Sequence, residues 1–232
     1  MRFVSLVAAA LIAQAAQVPN KVAAKAVKVG STTIRIYNAT QSAPDAKLDI
    51  LLDGAPVASA VAADTLAGPF TPKDPPNAKL AFKKPQGAAN LLELPVDAAD
   101  KDHVLVLLGD PDKTLDIADL VVKPAPGAEG KTSINILSAI PKEDAGDDID
   151  VYVLGAEDKL DAAMPTAKGV SFKSAASVDL APGTYTVVVT KTGAKDILAQ
   201  SEAIDAKANT REAVLALPKG AGKADKVFVV NL

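Results

Sequence analysis

The sequence predicts an all-β protein built from two tandem copies of one small antiparallel sandwich. Three observations point there: apolar residues recur at every second position, turn-forming residues separate these runs, and the second half answers the first block by block. Ile34 and Ile36 alternate with Thr33, Arg35 and Tyr37. Leu48, Ile50 and Leu52 alternate with Asp49, Leu51 and Asp53, and Tyr185, Val187 and Val189 with Thr184, Thr186 and Val188. A period of two turns one side of each strand toward a core and the other toward water, as in half-buried antiparallel sheets, with lapses at Leu51 and Val188.

The repeat rests on collinear blocks. Ile34 to Ala39 meets Ile134 to Ala139, and Leu48 to Gly54 meets Ile149 to Gly155. Pro76-Asn77 then meets Pro182-Gly183, Val96-Asp97-Ala98 meets Ile204-Asp205-Ala206, and Val104-Leu105 meets Val214-Leu215. Ala118-Asp119 meets Ala224-Asp225. The offset drifts from 100 through 101, 106 and 108 to 110, with a trailing 106. Small gaps between blocks are what loop insertions on a common scaffold produce. A period this long is a whole small domain and not a solenoid repeat.

Turn signals divide each copy. Asp53-Gly54 and Leu154-Gly155 close a strand with a residue able to take positive φ. In Pro76-Asn77 and Pro182-Gly183 the proline presets the first central position of a type II turn, and Asn or Gly tolerates the second. Gly109-Asp110-Pro111-Asp112 marks another break, and Gly68 through Pro76, rich in proline, a stiff loop. Alanine-rich Ala55 to Leu66 and Ala156 to Ala163 could each hold a short helix. About seven strands in about 100 residues suit an immunoglobulin-like sandwich. The predicted organisation is a signal peptide over 1–15, a first β-sandwich over 28–123, a Pro/Gly linker over 124–130 and a second β-sandwich over 131–232.

The N-terminus sets the expected compartment. Met1-Arg2 supplies positive charge, Phe3 to Ala13 is mostly apolar, and Ala13-Gln14-Ala15 fits a small-x-small cleavage site. The apolar run falls short of the about 20 residues a spanning helix needs, so the expectation is export to the periplasm or beyond, with no integral membrane span. Cysteine is absent, which removes disulfides, thiolate metal sites and cysteine nucleophiles. A net charge of −3 lacks the basic footprint of a nucleic-acid binder. Aromatics make up 3% of the chain, so the cores should be aliphatic.

The chemistry-bearing residues are few. His103 is the sole histidine, and at the start of the strand Val104 to Leu108 it is expected to be solvated; its counterpart region holds Arg211-Glu212 or Ala213. No Gly-x-Ser-x-Gly elbow presents a serine to it. Zinc lacks its usual ligands. Glu143, Asp144, Asp147, Asp148 and Asp150 form the densest acidic group, in oxygen chemistry that suits calcium but without the Asp-x-Asp-x-Asp-Gly ladder; the expectation is a solvated turn. No catalytic, cofactor-binding or metal residue is assigned, and no cofactor is expected.

Two resemblances rest on motifs. The opening strand ending in Asn38-Ala39 or Ser138-Ala139, the Leu/Ile-Asp-Ile/Val strand at Leu48 and Ile149, and Leu180-Ala-Pro-Gly-Thr-Tyr-Thr-Val187 together resemble a bacterial domain of unknown function. That domain occurs as tandem β-sandwich repeats in exported proteins. Ile34 to Ala39 is also similar to the opening strand of the periplasmic alginate-acetylation adaptor family. The first resemblance implies a non-catalytic binding or scaffolding protein of the bacterial envelope, with an envelope protein or polysaccharide as partner. The second implies an adaptor in exopolysaccharide O-acetylation.

Overall fold

The structure, a computed structural model, describes residues 33–41, 47–97, 101–122, 129–141, 148–218 and 225–232. The predicted signal segment, residues 124–128 of the predicted linker, and Glu143, Asp144 and Asp147 lie outside them. The first copy contributes β1 (Ile34–Asn38), β2 (Lys47–Leu52), β3 (Ala55–Ala62), β4 (Thr65–Phe70), β5 (Ala78–Lys83), β6 (Leu92–Val96), β7 (Asp102–Asp110) and β8 (Thr114–Val122). The second contributes β9 (Thr132–Ser138), β10 (Ile149–Gly155), β11 (Ala167–Val170), β12 (Ala175–Leu180), β13 (Gly183–Lys191), β14 (Ile197–Gln200), β15 (Ile204–Ala206), β16 (Arg211–Leu217) and β17 (Lys226–Asn231). The one helical turn among the described residues is a 3-10 turn at Pro75–Asn77.

Four sheets result, and the strand order of one half recurs in the other. In the first copy, β4-β1-β7-β8 faces β3-β2-β5-β6. In the second, β12-β9-β16-β17 faces β11-β10-β13-β14, with β15 also on β13. The order is the same throughout, including the parallel pairing of the first strand with the late one, β1 with β7 and β9 with β16. Register corrects two sequence matches. Ile34 pairs with His103 and Ile134 with Glu212, so Val104 corresponds to Ala213 and Leu105 to Val214. Matching Val104 to Val214 is a one-residue slip, which would exchange the two faces of the strand. Likewise Leu120 stands opposite Val104 and Val230 opposite Ala213, so Ala118 corresponds to Phe228 and not to Ala224.

The expectation that each strand has one wet face fails for the inner sheets. Ile34, Ile36, Leu48, Ile50, Leu80, Phe82, Leu105 and Leu107 form the core between the first pair of sheets. Ile134, Ile136, Ile149, Val151, Val187, Val189, Val214 and Ala216 form that of the second. A third core lies between the copies, where the back of β4-β1-β7-β8 packs on the back of β12-β9-β16-β17. It collects Tyr37, Val104, Val106, Leu108, Leu120 and Val122 from one side and Leu137, Ala213, Leu215, Leu217 and Val230 from the other. Val104 to Leu108 and Ala213 to Leu217 are therefore unbroken buried runs, the pattern of strands covered on both faces. The molecule is a four-layer stack.

Equivalent residues meet across this third core, so it has the self-complementary form of a two-fold interface. Asp102 and Arg211, each one residue before the first-copy His103 and its counterpart Glu212, pair with each other at 3.0 Å, both largely buried. Asp64 and Lys173 sit in equivalent turns, each with a left-handed backbone and each donating its N–H to the end of the opening strand, at Asn38 O and Ser138 O. Asp64 pairs with Lys226 at 2.6 Å, and Lys173 pairs with Asp116, the residue corresponding to Lys226. All three acids belong to the first copy and all three bases to the second. Tyr37 meets Phe228 with ring centroids 4.7 Å apart.

Local motifs explain the recurring blocks. Asp49 accepts from Ala60 N–H and Asp150 from Gly169 N–H, both at 2.8 Å, where a bulge sets two residues of the neighbouring strand against one. Ala60 and Gly169 both have positive φ. Tyr185 donates to Ala181 O at 2.8 Å, a tyrosine-corner contact that fixes the chain as it enters β13. Asp53 and Gly54 both take positive φ in the β2–β3 hairpin, as expected of a two-residue turn. Other turn expectations fail. Asn77 ends the 3-10 turn and neither it nor Gly183 has positive φ, Gly155 continues β10, and β7 runs through Asp110. Ala55–Ala62 is a strand, residues 156–163 form turns, and Gly68 with Pro69 lies within edge strand β4, where a missing N–H is tolerated.

Candidate functional site

Each sandwich has a mouth where the last strand of the inner sheet approaches the edge of the outer sheet, β8 near β6 and β17 near β14 and β15. The two mouths have the same backbone and different contents. In the first, His103 is 3% exposed, against the expectation of a solvated residue. Its Nδ1 lies 3.0 Å from both Asp119 carboxylate oxygens, and its Nε2 lies 3.1 Å from Asp97 O. Both ring nitrogens are thus engaged by oxygens of neighbouring segments. Asp119, on the adjacent β8, and Asp97, at the end of β6, hold the ring so that it plugs this mouth.

In the second mouth the position of His103 is taken by Glu212 and that of Asp119 by Val229. Glu212 is 5% exposed, and its Oε2 has no hydrogen-bond partner. Burial pushes the Glu212 carboxyl above the usual glutamate range. A cleft of about 730 Å³ opens beside it, within the size range of small-ligand sites. It is lined by Ile204, Asp205 and Lys207, by Arg211 and Glu212, and by Val227, Phe228, Val229 and Asn231 of β17. Asp205 is the counterpart of Asp97. Arg211 is committed to Asp102, and Lys207 stands 4.0 Å from Asp205.

Sequence reasoning missed this site. The available signal was the alternation Glu212, Val214, Ala216, which places a carboxylate in register with core residues. The described part of the acidic group that drew notice does other work. Asp150 is 1% exposed, and its two carboxylate oxygens accept from Gly169 N–H at 2.8 Å and Gly193 N–H at 2.9 Å. It is a backbone clasp, not a solvated turn residue. Among the described residues no group of three or more His, Asp or Glu side chains is placed to hold a metal ion. Within them, too, no helix is long and apolar enough to cross a membrane. The strand behind both family resemblances is structural as well: Asn38 is buried, donates to Val61 O at 3.1 Å and accepts from Thr40.

The fold and this cleft define a class: an all-β protein of stacked sandwiches with one polar mouth left open. No family model matches the chain, and no curated protein matches it. Among solved structures it is similar to CBMbc, a family CBM26 module of Amy13K from Eubacterium rectale in complex with maltoheptaose. The identity is 10% and the TM-score 0.28, over 86% of this chain and 97% of that one. A family 41 carbohydrate-binding module from streptococcal virulence factors, described for alpha-glucan recognition, matches at 12% identity and TM-score 0.26, over 85% and 97%. A leucine-rich repeat protein from Bacteroides thetaiotaomicron matches at 14% and TM-score 0.21, over 82% of this chain and 26% of that one.

Proposed function

We propose that this chain is an exported, non-catalytic binding protein of the bacterial envelope, in which the four-layer stack holds the cleft of the second sandwich rigidly in place. The observation that carries the reading is the difference between the mouths: the same position is plugged by His103 in one half and holds, in the other, a buried carboxylate with one oxygen unpartnered beside an open cleft. A buried polar atom without a partner costs stability, about 1–3 kcal/mol, and a ligand or an ordered water that supplies the partner recovers it. The partner is an envelope protein or polysaccharide, or a small molecule derived from one. Export is supported by Met1-Arg2, the apolar run Phe3 to Ala13, the Ala13-Gln14-Ala15 site and the lack of cysteine.

Two measurements test the reading. Fusing residues 1–31 to a reporter that matures only outside the cytoplasm should give reporter activity; none would sink export. A thermal-shift screen of the purified chain against polar metabolites and soluble polysaccharides should find ligands that raise Tm. Such a rise should vanish when Val229→Trp fills the cleft. A screen with no stabilising ligand, or with stabilisation untouched by Val229→Trp, would remove the cleft as the binding site.

A further inference from the structure

The identity of the group that completes Glu212 can be argued from the cleft's charges, given the binding reading above. Its walls and floor carry three carboxylates, Glu202, Asp205 and Glu212, and two cations, Lys207 and Arg211. Arg211 is bound to Asp102 in the interface between the copies, and Lys207 stands against Asp205. That leaves Glu202 and Glu212 uncompensated by any cation among the described residues. A neutral hydroxyl could donate to the Glu212 carboxylate but would leave its charge uncompensated. A cationic donor satisfies the hydrogen bond and the charge together, and such charge-assisted bonds are about twice as strong as neutral ones. The metal alternative lacks ligands, since among the described residues no three carboxylates or histidines converge. The apolar lining comprises Ile204, Val227, Val229 and Leu232 together with Phe228, which also packs on the core between the halves.

We propose that the cleft binds an organic primary ammonium, which pairs with the Glu212 carboxylate where that side chain lines the cleft, while its apolar part lies along Ile204, Val227 and Val229. The chain already holds one ammonium in a related way: Lys195 Nζ donates to Leu160 O and Ala163 O, both at 2.6 Å, and sits 4.3 Å from the Tyr152 ring centre. Buried carbonyl or carboxylate oxygens with an apolar side wall suffice to desolvate and fix an –NH3+ group. Two sources present such a group, a lysine side chain and an amino sugar.

The test uses the full chain, titrated calorimetrically with n-pentylammonium and with its neutral isostere n-pentanol. Saturable binding of pentylammonium, about tenfold or more tighter than pentanol, is expected; Glu212→Gln should remove about that factor, because it deletes the charge while keeping the shape. Glu202→Gln, at the rim, should cost only about two- to threefold. Nα-acetyl-lysine methylamide and glucosamine then distinguish the sources, each judged by its loss of affinity in Glu212→Gln. Equal binding of pentanol and pentylammonium would overturn the proposal, as would affinity unchanged by Glu212→Gln or no binding of any amine. Stabilisation by glucose equal to that by glucosamine would overturn it too, while leaving the binding-protein reading intact. Glu212→Gln is expected to fold at least as well as the parent chain, so its Tm shows whether lost binding is lost folding.

Discussion

The mouths of the two sandwiches were built to the same plan and put to different ends. In the first, an imidazole is caught between a carboxylate and a carbonyl, and the gap between the sheets is closed by hydrogen bonds. In the second, a carboxylate faces a valine, one oxygen lacks a partner, and the gap stays open. A pair of residues, His103 with Asp119 against Glu212 with Val229, separates a stabilising plug from a binding cleft. Two halves of one strand order make this possible: one can carry stability while the other gives some up for a site, the usual exchange between rigidity and function.

The largest effect should come from writing the second mouth into the first. His103→Glu removes both ring hydrogen bonds and sets a buried carboxylate against Asp119 and the Asp97 carbonyl. Chemical denaturation should register a loss of about 3–5 kcal/mol, the range for a buried charge without its partner. His103→Ala, which leaves Asp119 half-exposed and able to reach water, should cost less, about 2–3 kcal/mol. A loss under about 1 kcal/mol in either variant would mean that the plug is not structural.

The reverse graft should close the second mouth. Glu212→His with Val229→Asp rebuilds the imidazole–carboxylate pair, and the double variant should be more stable than Glu212→His alone by about 1–3 kcal/mol while losing ligand binding. Additive effects in that cycle would show that the two positions do not communicate across β16 and β17.

The smallest effect is also the most diagnostic. Burial raises the Glu212 carboxyl above its ordinary 4.5, so the folded chain holds this proton more tightly than the unfolded chain does. Stability linked to the group therefore increases as pH falls through the glutamate range, and the ionised form is a liability at neutral pH. Glu212→Gln should raise Tm at pH 7 by a few degrees, and the gain should shrink as pH approaches 4. A variant that is more stable and binds less marks a site residue; one that is less stable at pH 7 would mark Glu212 as structural. Lys226 gives the opposite end of the scale. Burial lowers it, but its contacts with Asp64 and Tyr37 outweigh that and raise it above 10.5. Its contribution to the joint between the copies is complete at neutral pH and should fade only as strongly alkaline pH is reached, observable as a falling Tm there.

Much of this architecture was legible from residues alone, for physical reasons. Period-two alternation marked the strands of the outer sheets well, since Leu48, Ile50 and Leu52 face a core and Asp49 does not. It marked the inner sheets poorly. Val104 to Leu108 and Ala213 to Leu217 are apolar throughout because both faces are covered, and a run without alternation carries no register. That is why matching by residue identity slips by one position there and leaves the counterpart of His103 open among Arg211, Glu212 and Ala213. Turns read from glycine and proline succeeded where a tight hairpin demands positive φ, at Asp53-Gly54, and failed where the backbone stayed extended, at Gly155 and Gly183. The cleft was invisible because it depends on which side chain is missing opposite Glu212, a fact of pairing across two strands.

The distribution of acids and bases across the third core has one further consequence. With Asp64, Asp102 and Asp116 on one side and Lys173, Arg211 and Lys226 on the other, each half carries a surface that rejects a second copy of itself and accepts its sibling. Expressed as separate chains, 1–122 and 129–232 should find each other as a one-to-one complex in native mass spectrometry, with neither forming pairs alone. The molecule would then be a matched lock whose halves can be supplied apart, and exchanging the signs of all three pairs should leave the match intact while barring the original partners.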